Sequence, residues 1–170
     1  MKLDIIGSVA SGKTTLAAKL AKKYNVPHYQ KDNIVWERTA HGDVRRSDKE
    51  RDQIFRTIID GEQWIVEGSP RKDLNESMEC CDYIILLDIP FWTRFGRVFM
   101  RWLRQRTGKE DFNTKPTLRF LWWNIKWVLE YSRDRKKIIA ALAGYGERLR
   151  IFHNSQSAEK FIEKTYRQGR

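Results

Sequence analysis

The sequence predicts an α/β fold in three layers, with helices on both faces of a mainly parallel five-stranded sheet. Short apolar runs alternate along the chain with segments whose apolar residues recur at helical spacing. Two of the runs, 64–66 and 83–87, are apolar or aromatic throughout, as is typical of parallel strands buried on both faces. No internal repeat or low-complexity tract interrupts this alternation.

The boundaries of the elements follow from caps, chain breakers and apolar spacing. Residues 33–46 are polar, contain Gly42-Asp43, and are expected to form an irregular surface segment. The helix that follows opens with a capping box over 47–50 and closes at Asp60-Gly61. The predicted strands are 2–6, 27–30, 64–66, 83–87 and 149–152; the predicted helices are 13–24, 47–60, 94–106, one that starts near Pro116 and ends before Gly144, and one around 158–162.

Length and composition favour one folded domain over residues 1–170. Hydrophobic residues make up 41% and charged residues 32% of the chain, which fits a folded protein rather than a disordered one. The formal net charge of +11 attracts polyanions, whether nucleotides, nucleic acid or acidic lipid surfaces. No apolar run reaches membrane-spanning length, and Asp4 interrupts the apolar run at the N-terminus. We therefore expect no signal peptide, no membrane partner and a cytoplasmic location.

Cysteine and histidine usage predicts neither a disulfide framework nor a structural zinc site. Cys80 and Cys81 are adjacent and cannot join distant segments, which indicates a reducing compartment. His28, His41 and His153 are isolated from one another and lack the spacing of metal ligands, so we expect ordinary polar or loop residues.

Residues 7–15 carry the spacing G-x-x-x-x-G-K-T between the first predicted strand and helix, which is a phosphate-binding loop in its expected setting. Gly7 and Gly12 permit backbone angles that turn successive N–H groups inward at a helix N-terminus. Lys13 can reach the β- and γ-phosphates of ATP, and the Thr14 hydroxyl is placed to ligate Mg²⁺. The alternative is a chance match in a tight turn. The predicted nucleotide-binding residues are Gly7, Ser8, Ala10, Ser11, Gly12, Lys13, Thr14 and Thr15.

Polar residues at the other strand ends are expected to share this site, because ligands of parallel sheets lie outside the carboxyl ends of the strands. Glu67 and Asp88 each follow a buried strand, and either could hold the water shell of Mg²⁺; either could also be a helix cap or turn former. Asp32 follows the second strand and could act as base toward an acceptor hydroxyl, or simply form an Asx-turn.

Four arginines, Arg94, Arg97, Arg101 and Arg104, recur on one face of the helix over 94–106. Their planar forks suit bidentate phosphate contacts that neutralise transition-state charge, and Arg97 and Arg101 are the first candidates for that catalytic role. The alternative is a solvated face of an amphipathic helix. The opposite face carries Phe95, Val98, Phe99, Trp102 and Leu103.

The later helix has a predicted apolar stripe that includes Trp122, which is therefore expected in the core. Trp123 and Trp127 lie on a flank of that helix and are expected to be half exposed. Basic neighbours could make this flank a platform for nucleic acid, with packing or a protein contact as the alternatives. The stripe consists of Leu118, Leu121, Trp122, Ile125, Val128 and Leu129.

The segment Glu67-Gly68-Ser69-Pro70-Arg71 resembles the acidic-Gly-x-Pro-Arg segment of adenylate kinases and related nucleoside monophosphate kinases. The resemblance implies that Glu67 orients metal-bound water and that Arg71 grips the acceptor phosphate. Residues 88–90 resemble the end of that family's fourth strand, and the arginine-rich helix resembles its lid, which implies a basic lid-type helical region at about 91–115.

Nearly the whole chain resembles the small bacterial P-loop proteins called DNA topology modulation (FlaR-type) proteins, within the adenylate-kinase-like P-loop NTPase superfamily. Unlike in true adenylate kinases, only 33 residues separate Gln30 from Trp64, and Ser69 replaces an aromatic residue that usually stands there. The short spacing between Gln30 and Trp64 leaves little room for a full nucleoside monophosphate-binding insert. The resemblance rests on the phosphate loop with Ile5-Ile6 before it, on Asp32 followed by Trp36, on 64–68, on 82–88 and on the arginine-rich helix.

Together these features predict an ATP- and Mg²⁺-dependent phosphotransferase that moves the γ-phosphoryl group of ATP to a small-molecule or nucleotide acceptor. In this hypothesis Lys13, Asp32, Arg97 and Arg101 are catalytic, Thr14 and Glu67 position the metal, and Asp32 and Arg71 bind the acceptor. The Asn154-Ser155-Gln156 turn could contact the adenine; its position in the chain is the one reason for this expectation. The alternative is a nucleotide-dependent regulator that binds DNA through basic helices, with weak or no kinase activity.

Overall fold

The computed structural model describes residues 1–39, 42–110 and 115–167. His41 and part of the predicted lid-type region, 111–114, lie outside the described residues. The elements are β1 (Lys2–Gly7), α1 (Lys13–Tyr24), β2 (His28–Gln30), α2 (Lys31–Val35), β3 (Trp36–Thr39), β4 (Gly42–Arg45), α3 (Asp48–Ile59), β5 (Trp64–Gly68), α4 (Glu76–Cys80), β6 (Tyr83–Leu87), α5 (Phe91–Arg106), α6 (Leu118–Leu142), β7 (Leu149–Phe152) and α7 (Ser155–Arg167), with 3-10 turns at Lys72–Leu74 and Ala143–Arg148.

The main sheet has the strand order β2-β5-β1-β6-β7, and all of its pairings within the described residues are parallel. These are the five strands that the sequence predicts, so the predicted fold class is confirmed. The central strand β1 lies between β5 and β6, with Ile5 opposite both Glu67 and Ile85. The carboxyl ends of these neighbouring strands therefore meet at one edge of the sheet.

Two apolar clusters, one on each face of the sheet, make the fold three-layered. Because side chains alternate along a strand, Ile5 and Ile6 of β1 belong to different clusters. Helices α1 and α7 cover one face with Leu16, Leu20, Ala158 and Ile162. Helices α3 and α4 and the C-terminal end of α6 cover the other face with Phe55, Ile58, Ile59, Met78 and Leu142.

Residues 33–46 differ from the predicted irregular segment. Residues 33–35 complete the short helix α2, and β3 then pairs with β4 in an antiparallel arrangement, which we call the β3–β4 hairpin. Gly42 has φ 122°, a backbone conformation that side chains disfavour, at the start of β4. The hairpin was not predicted because its strands are exposed and polar, so they carry no alternating apolar signal. Only Trp36 is half-buried, against the core beneath α3.

The two helices of the basic region also differ from prediction. Helix α5 starts at Phe91 instead of Arg94, and Arg94 is buried, so it does not share the face of the other three arginines. In α6 the predicted stripe is wrong for Leu118, Trp122 and Leu129, which are 66%, 64% and 48% exposed. Val128 of the stripe is buried as expected, together with Asn124 and Tyr131. Apolar spacing identified a stripe but not the direction in which that stripe points. Trp123 and Trp127 are partly exposed, as expected.

A buried ion pair ties the start of α2 to the central strand. The Lys31 ammonium lies 2.7 Å from Asp4 Oδ2, and both side chains are fully buried. Ser77 Oγ of α4 donates to the same carboxylate oxygen at 2.6 Å. The stem of Lys31 packs so closely on Gly68 that a Cβ there would lie 2.7 Å from Lys31 Cβ. The pair thus fixes β1, α2, β5 and α4 relative to one another.

We predict that Lys31→Met lowers the free energy of unfolding by about 3 kcal/mol or more, because it leaves the Asp4 carboxylate buried without its counter-charge. The double variant Asp4→Leu/Lys31→Met should recover most of that loss, since both charges then leave the core. Denaturant unfolding measures both values. A double variant no more stable than Lys31→Met would contradict this account of the pair.

No helix among the described residues is both long enough and apolar enough to cross a membrane.

Candidate functional site

The phosphate-binding loop leaves the carboxyl end of β1 and turns tightly into α1. A Cβ at Gly7 would lie 2.8 Å from the Leu87 carbonyl oxygen and 2.9 Å from Ser11 Oγ, so no side chain fits there. Ala10 and Gly12 adopt left-handed backbone angles, with φ of 59° and 94°. The Ser11 N–H donates to the Ser8 carbonyl at 3.3 Å and closes a turn inside the loop. Alternation of left- and right-handed residues is the conformation that directs amides toward an anion.

Lys13 lies across this loop. Its ammonium donates to the Ser8 carbonyl at 2.8 Å. Burial lowers the pKa of Lys13, while the nearby Glu67 and Asp32 carboxylates oppose that shift. Because charges attract each other more strongly away from bulk water, an anionic ligand in the cavity would stabilise this desolvated ammonium more than it would stabilise a fully hydrated one.

Thr14 and Glu67 meet directly beside the loop. Thr14 Oγ1 donates to Glu67 Oε1 at 2.7 Å, which brings the first turn of α1 to the end of β5. Burial raises the pKa of the Glu67 carboxyl, and the Thr14 hydrogen bond and the Lys13 charge oppose that rise. A hydroxyl and a carboxylate are oxygen donors of the kind that Mg²⁺ prefers.

The other candidate acid, Asp88, has a different environment. Its carboxylate accepts hydrogen bonds from Arg135 of α6, with Arg135 Nη2 2.6 Å and Nε 2.9 Å from Oδ2. His153 Nδ1 lies 2.9 Å from the Asp88 carbonyl oxygen. Asp88 therefore anchors α6 and β7 to the end of β6, whereas Glu67 faces the phosphate loop.

Asp32 and Arg71 form an ion pair on the other side of the loop. Arg71 Nη2 donates to Asp32 Oδ1 at 2.7 Å, with both side chains partly exposed. Asp32 lies in the first turn of α2, next to the buried Lys31, so the Lys31–Asp4 pair holds the backbone from which Asp32 projects. Asp32, Arg71, Lys13 and Glu67 all line one open cavity.

Helix α5 presents its arginines to the same cavity from above the loop. Arg97 Nη1 donates to the carbonyls of Ala10 and Ser11 at 3.3 and 3.2 Å. Arg101 Nη2 donates to Asn124 Oδ1 at 3.0 Å, and burial lowers the Arg101 pKa. Arg104 lines the cavity one turn further along. Three of the four arginines expected on one face therefore approach a common space.

The cavity has a volume of about 1550 Å³ and brings distant parts of the chain together. The phosphate loop forms one wall, and α5 and α6 form another. The β3–β4 hairpin and the 67–71 segment close the side that Asp32 faces. Ser155, at the start of α7, also reaches it. Lining residues outside the prediction include Trp36, Arg38, Asp43, Phe120, Asn124 and Trp127.

Arg94 lies near the site but has a different environment from the one that its position in the sequence predicts. Its guanidinium is buried and donates to Ser8 Oγ at 2.8 Å, to the Ile89 carbonyl at 2.8 Å and to Ser132 Oγ at 2.7 Å. It also lies 4.8 Å from the centre of the Tyr131 ring. Helical spacing placed Arg94 with the other arginines, and only the tertiary contact with α6 distinguishes it. A buried arginine thus joins the phosphate loop to both helices of the basic region.

The fold is similar to those of two solved structures. Shikimate kinase from Bacteroides thetaiotaomicron matches with a TM-score of 0.55 and 14% identity over 97% of each chain. An uncharacterized protein from Eubacterium ventriosum matches with a TM-score of 0.55 and 15% identity over 96% of each chain. Deoxyadenosine kinase from M. mycoides matches with a TM-score of 0.46 and 12% identity over 100% of both chains. No protein-family model and no curated protein sequence matches the chain. At these identities the first two matches show the fold alone, which is the α/β fold of that shikimate kinase.

We predict that Arg94→Met lowers the melting temperature and weakens binding of MgATP by about tenfold, equal to about 1.4 kcal/mol. Both effects follow because Ser8 and Ser132 lose a buried charged donor. Differential scanning fluorimetry and calorimetric titration measure them. Arg133→Met is the matched control, since Arg133 is exposed on α6 and pairs only with its neighbour Asp134 among the described residues. Equal results for the two variants would contradict the role of Arg94.

Proposed function

We propose that this protein is an ATP-dependent phosphotransferase that moves the γ-phosphoryl group to a small-molecule or nucleotide acceptor. The observation that carries the proposal is the convergence, on one cavity, of the phosphate loop with Glu67, Asp32, Arg71, Arg97 and Arg101. These groups come from separate elements, so the convergence is a property of the fold. The similarity of the fold to that of a shikimate kinase agrees with this function but does not name an acceptor. We propose further that residues 1–170 act as one domain, with a lid-type region at about 91–115.

In this proposal the loop and Lys13 hold the phosphates of ATP. Amides of residues 7–15 would face the phosphate oxygens, and the Lys13 ammonium would exchange its contact with the Ser8 carbonyl for the β- and γ-phosphates. Ser155 also lines the cavity, which supports an adenine contact from the turn over 154–156. The purine itself is not specified by these groups.

Thr14 and Glu67 are the residues that would hold Mg²⁺. When bound, this ion would neutralise negative charge that develops on the phosphates during transfer. The donor set fits: the Thr14 hydroxyl and the Glu67 carboxylate already touch, and Glu67 is held at the end of β5 by its pairing with β1. Burial keeps the Glu67 carboxyl poorly solvated, so a cation would be a favourable partner for its ionised form.

Asp32 and Arg71 are placed to bind the acceptor. Asp32 would accept the hydrogen bond of an acceptor hydroxyl and take its proton as the acceptor oxygen bonds to the γ-phosphorus, while the bond from that phosphorus to the β-phosphate oxygen breaks and ADP leaves. Arg71 keeps that carboxylate oriented and, through its remaining N–H groups, would contact an anionic group of the acceptor. Lys13, Arg97 and Arg101 would neutralise the charge on the equatorial oxygens of the transferred group.

A second function, a nucleotide-dependent DNA-binding regulator of the FlaR type, is supported by a different observation. Trp123 and Trp127 are partly exposed on α6, and the Lys126 ammonium lies 4.9 Å from the Trp123 ring centre. Aromatic rings beside cations suit contacts with bases and phosphates. This function requires duplex affinity that falls steeply with added salt and does not depend on acceptors.

The test is a screen for ATP consumption with nucleosides, nucleotides and small alcohols as acceptors. We expect one class to stimulate ADP release, and Lys13→Ala to reduce the stimulated rate by about 100-fold or more. Lys22→Ala, on the exposed side of the same helix, is the control and should retain full activity. If no acceptor raises the rate and duplex DNA binds with a steep salt dependence, the regulator replaces the kinase as the function.

A further inference from the structure

Helices α5 and α6 form an antiparallel pair with two different sides. Their contacts run in opposite chain directions: Arg94 bonds to Ser132, Arg101 to Asn124, and Trp102 to the carbonyl of Pro116. One side of the pair lines the cavity. The cavity-lining residues of the two helices include Arg97, Met100, Arg101 and Arg104 of α5 and Phe120, Asn124 and Trp127 of α6.

The opposite side of this pair is apolar and exposed to solvent. On α5 the residues Phe95, Phe99 and Trp102 recur at i, i+4 and i+7, with Leu103 beside them. On α6 four residues of the stripe that was expected in the core lie on this side, at i, i+4, i+7 and i+11. We call these eight residues the outer face: Phe95, Phe99, Trp102, Leu103, Leu118, Trp122, Ile125 and Leu129.

The exposed apolar side chains of the outer face lie together on one surface and are not scattered singly. Leu118 is 66%, Trp122 64%, Leu129 48%, Phe99 47% and Leu103 41% exposed. Contiguous apolar surface of this kind marks an interaction site. None of the eight residues lines the nucleotide cavity, so the face is separate from the proposed active site.

The charge around the outer face indicates the kind of partner that it binds. Residues 91–129 carry six Arg and three Lys against Glu110 and Asp111, and they hold five of the seven tryptophans of the chain. No acidic residue occurs in α5. Arg106 lies at the edge of the face, 5.4 Å above the Trp102 ring. An apolar centre rich in Trp, Phe and Leu, in a region where cations outnumber acids, is the composition of helices that lie in the headgroup region of anionic membranes.

We propose that the outer face binds the surface of an anionic lipid bilayer, with the α5–α6 pair lying in the membrane plane. Nucleic acid fits this face less well, because the side chains of Leu103, Leu118 and Leu129 offer no ring on which a base could stack. In addition, Arg97, Arg101 and Arg104 of α5 line the cavity instead of this face. A second copy of the chain would bring the same basic border against itself. The expectation of no membrane partner rested on the lack of a spanning segment, which surface binding does not require. The proposal is independent of the proposed function.

The test is co-sedimentation of the full chain with vesicles. We expect binding to phosphatidylcholine vesicles that contain about a quarter phosphatidylserine, and weaker binding to pure phosphatidylcholine or in high salt. The variant Leu118→Gln/Trp122→Gln should weaken binding by about tenfold or more, because binding scales with the apolar area inserted. Both side chains are largely exposed, so the fold should tolerate the change, which circular dichroism checks. Val44→Gln/Ile54→Gln, at exposed apolar positions on β4 and α3, is the matched control.

Three outcomes would overturn the proposal. The first is the absence of binding to anionic vesicles at physiological salt, or binding that the Leu118/Trp122 variant leaves unchanged. The second is binding of a single-stranded oligonucleotide that this variant abolishes while vesicles do not bind. The third is a dimer in sedimentation velocity that this variant converts to monomer, again without vesicle binding.

Discussion

The close approach of the Gly7 backbone to β6 is the constraint on which the site depends. The Leu87 carbonyl and the Ser11 hydroxyl leave no space for a Cβ at Gly7. The absence of a side chain there allows the chain to turn tightly at the end of β1. That turn brings Lys13 and Thr14 over the ends of the strands, where Glu67 of β5 lies beside β1 and accepts a hydrogen bond from Thr14. A bulkier residue at Gly7 would displace the loop from its neighbours on both sides.

Around this turn, buried polar contacts connect the loop to elements far away in sequence. Arg94 joins Ser8 to α5 and α6, and Asp88 joins the end of β6 to α6 through Arg135. On the other side, the Asp4–Lys31 pair fixes the backbone that carries Asp32. The cavity therefore has one wall formed by the loop and the strand ends, and a second wall formed by a helix pair that Arg94, Asn124 and Asp88 connect to its surroundings.

Much of this fold could be predicted from sequence because its core signals are local. Uniformly apolar runs such as 64–66 and 83–87 are typical of buried strands, and the spacing of the glycines and the lysine of the loop is set by the geometry of the phosphates that such loops bind. The β3–β4 hairpin was missed because it is polar on both sides. The roles of Arg94 and Trp122 were misjudged for one reason: helical periodicity shows which residues share a face but not what that face meets. The tertiary contacts of α5 with α6 decide that.

The most direct measurement of the central claim is a calorimetric titration of the folded protein with ATP, in the presence of Mg²⁺ and again with the metal chelated. The account predicts binding of MgATP to one site per chain, a clear loss of affinity when Mg²⁺ is removed, and no detectable binding by the Lys13→Ala variant. Folded wild-type protein that releases or takes up no heat with MgATP over a range of temperatures, or a Lys13→Ala variant that binds as the wild type does, would contradict it.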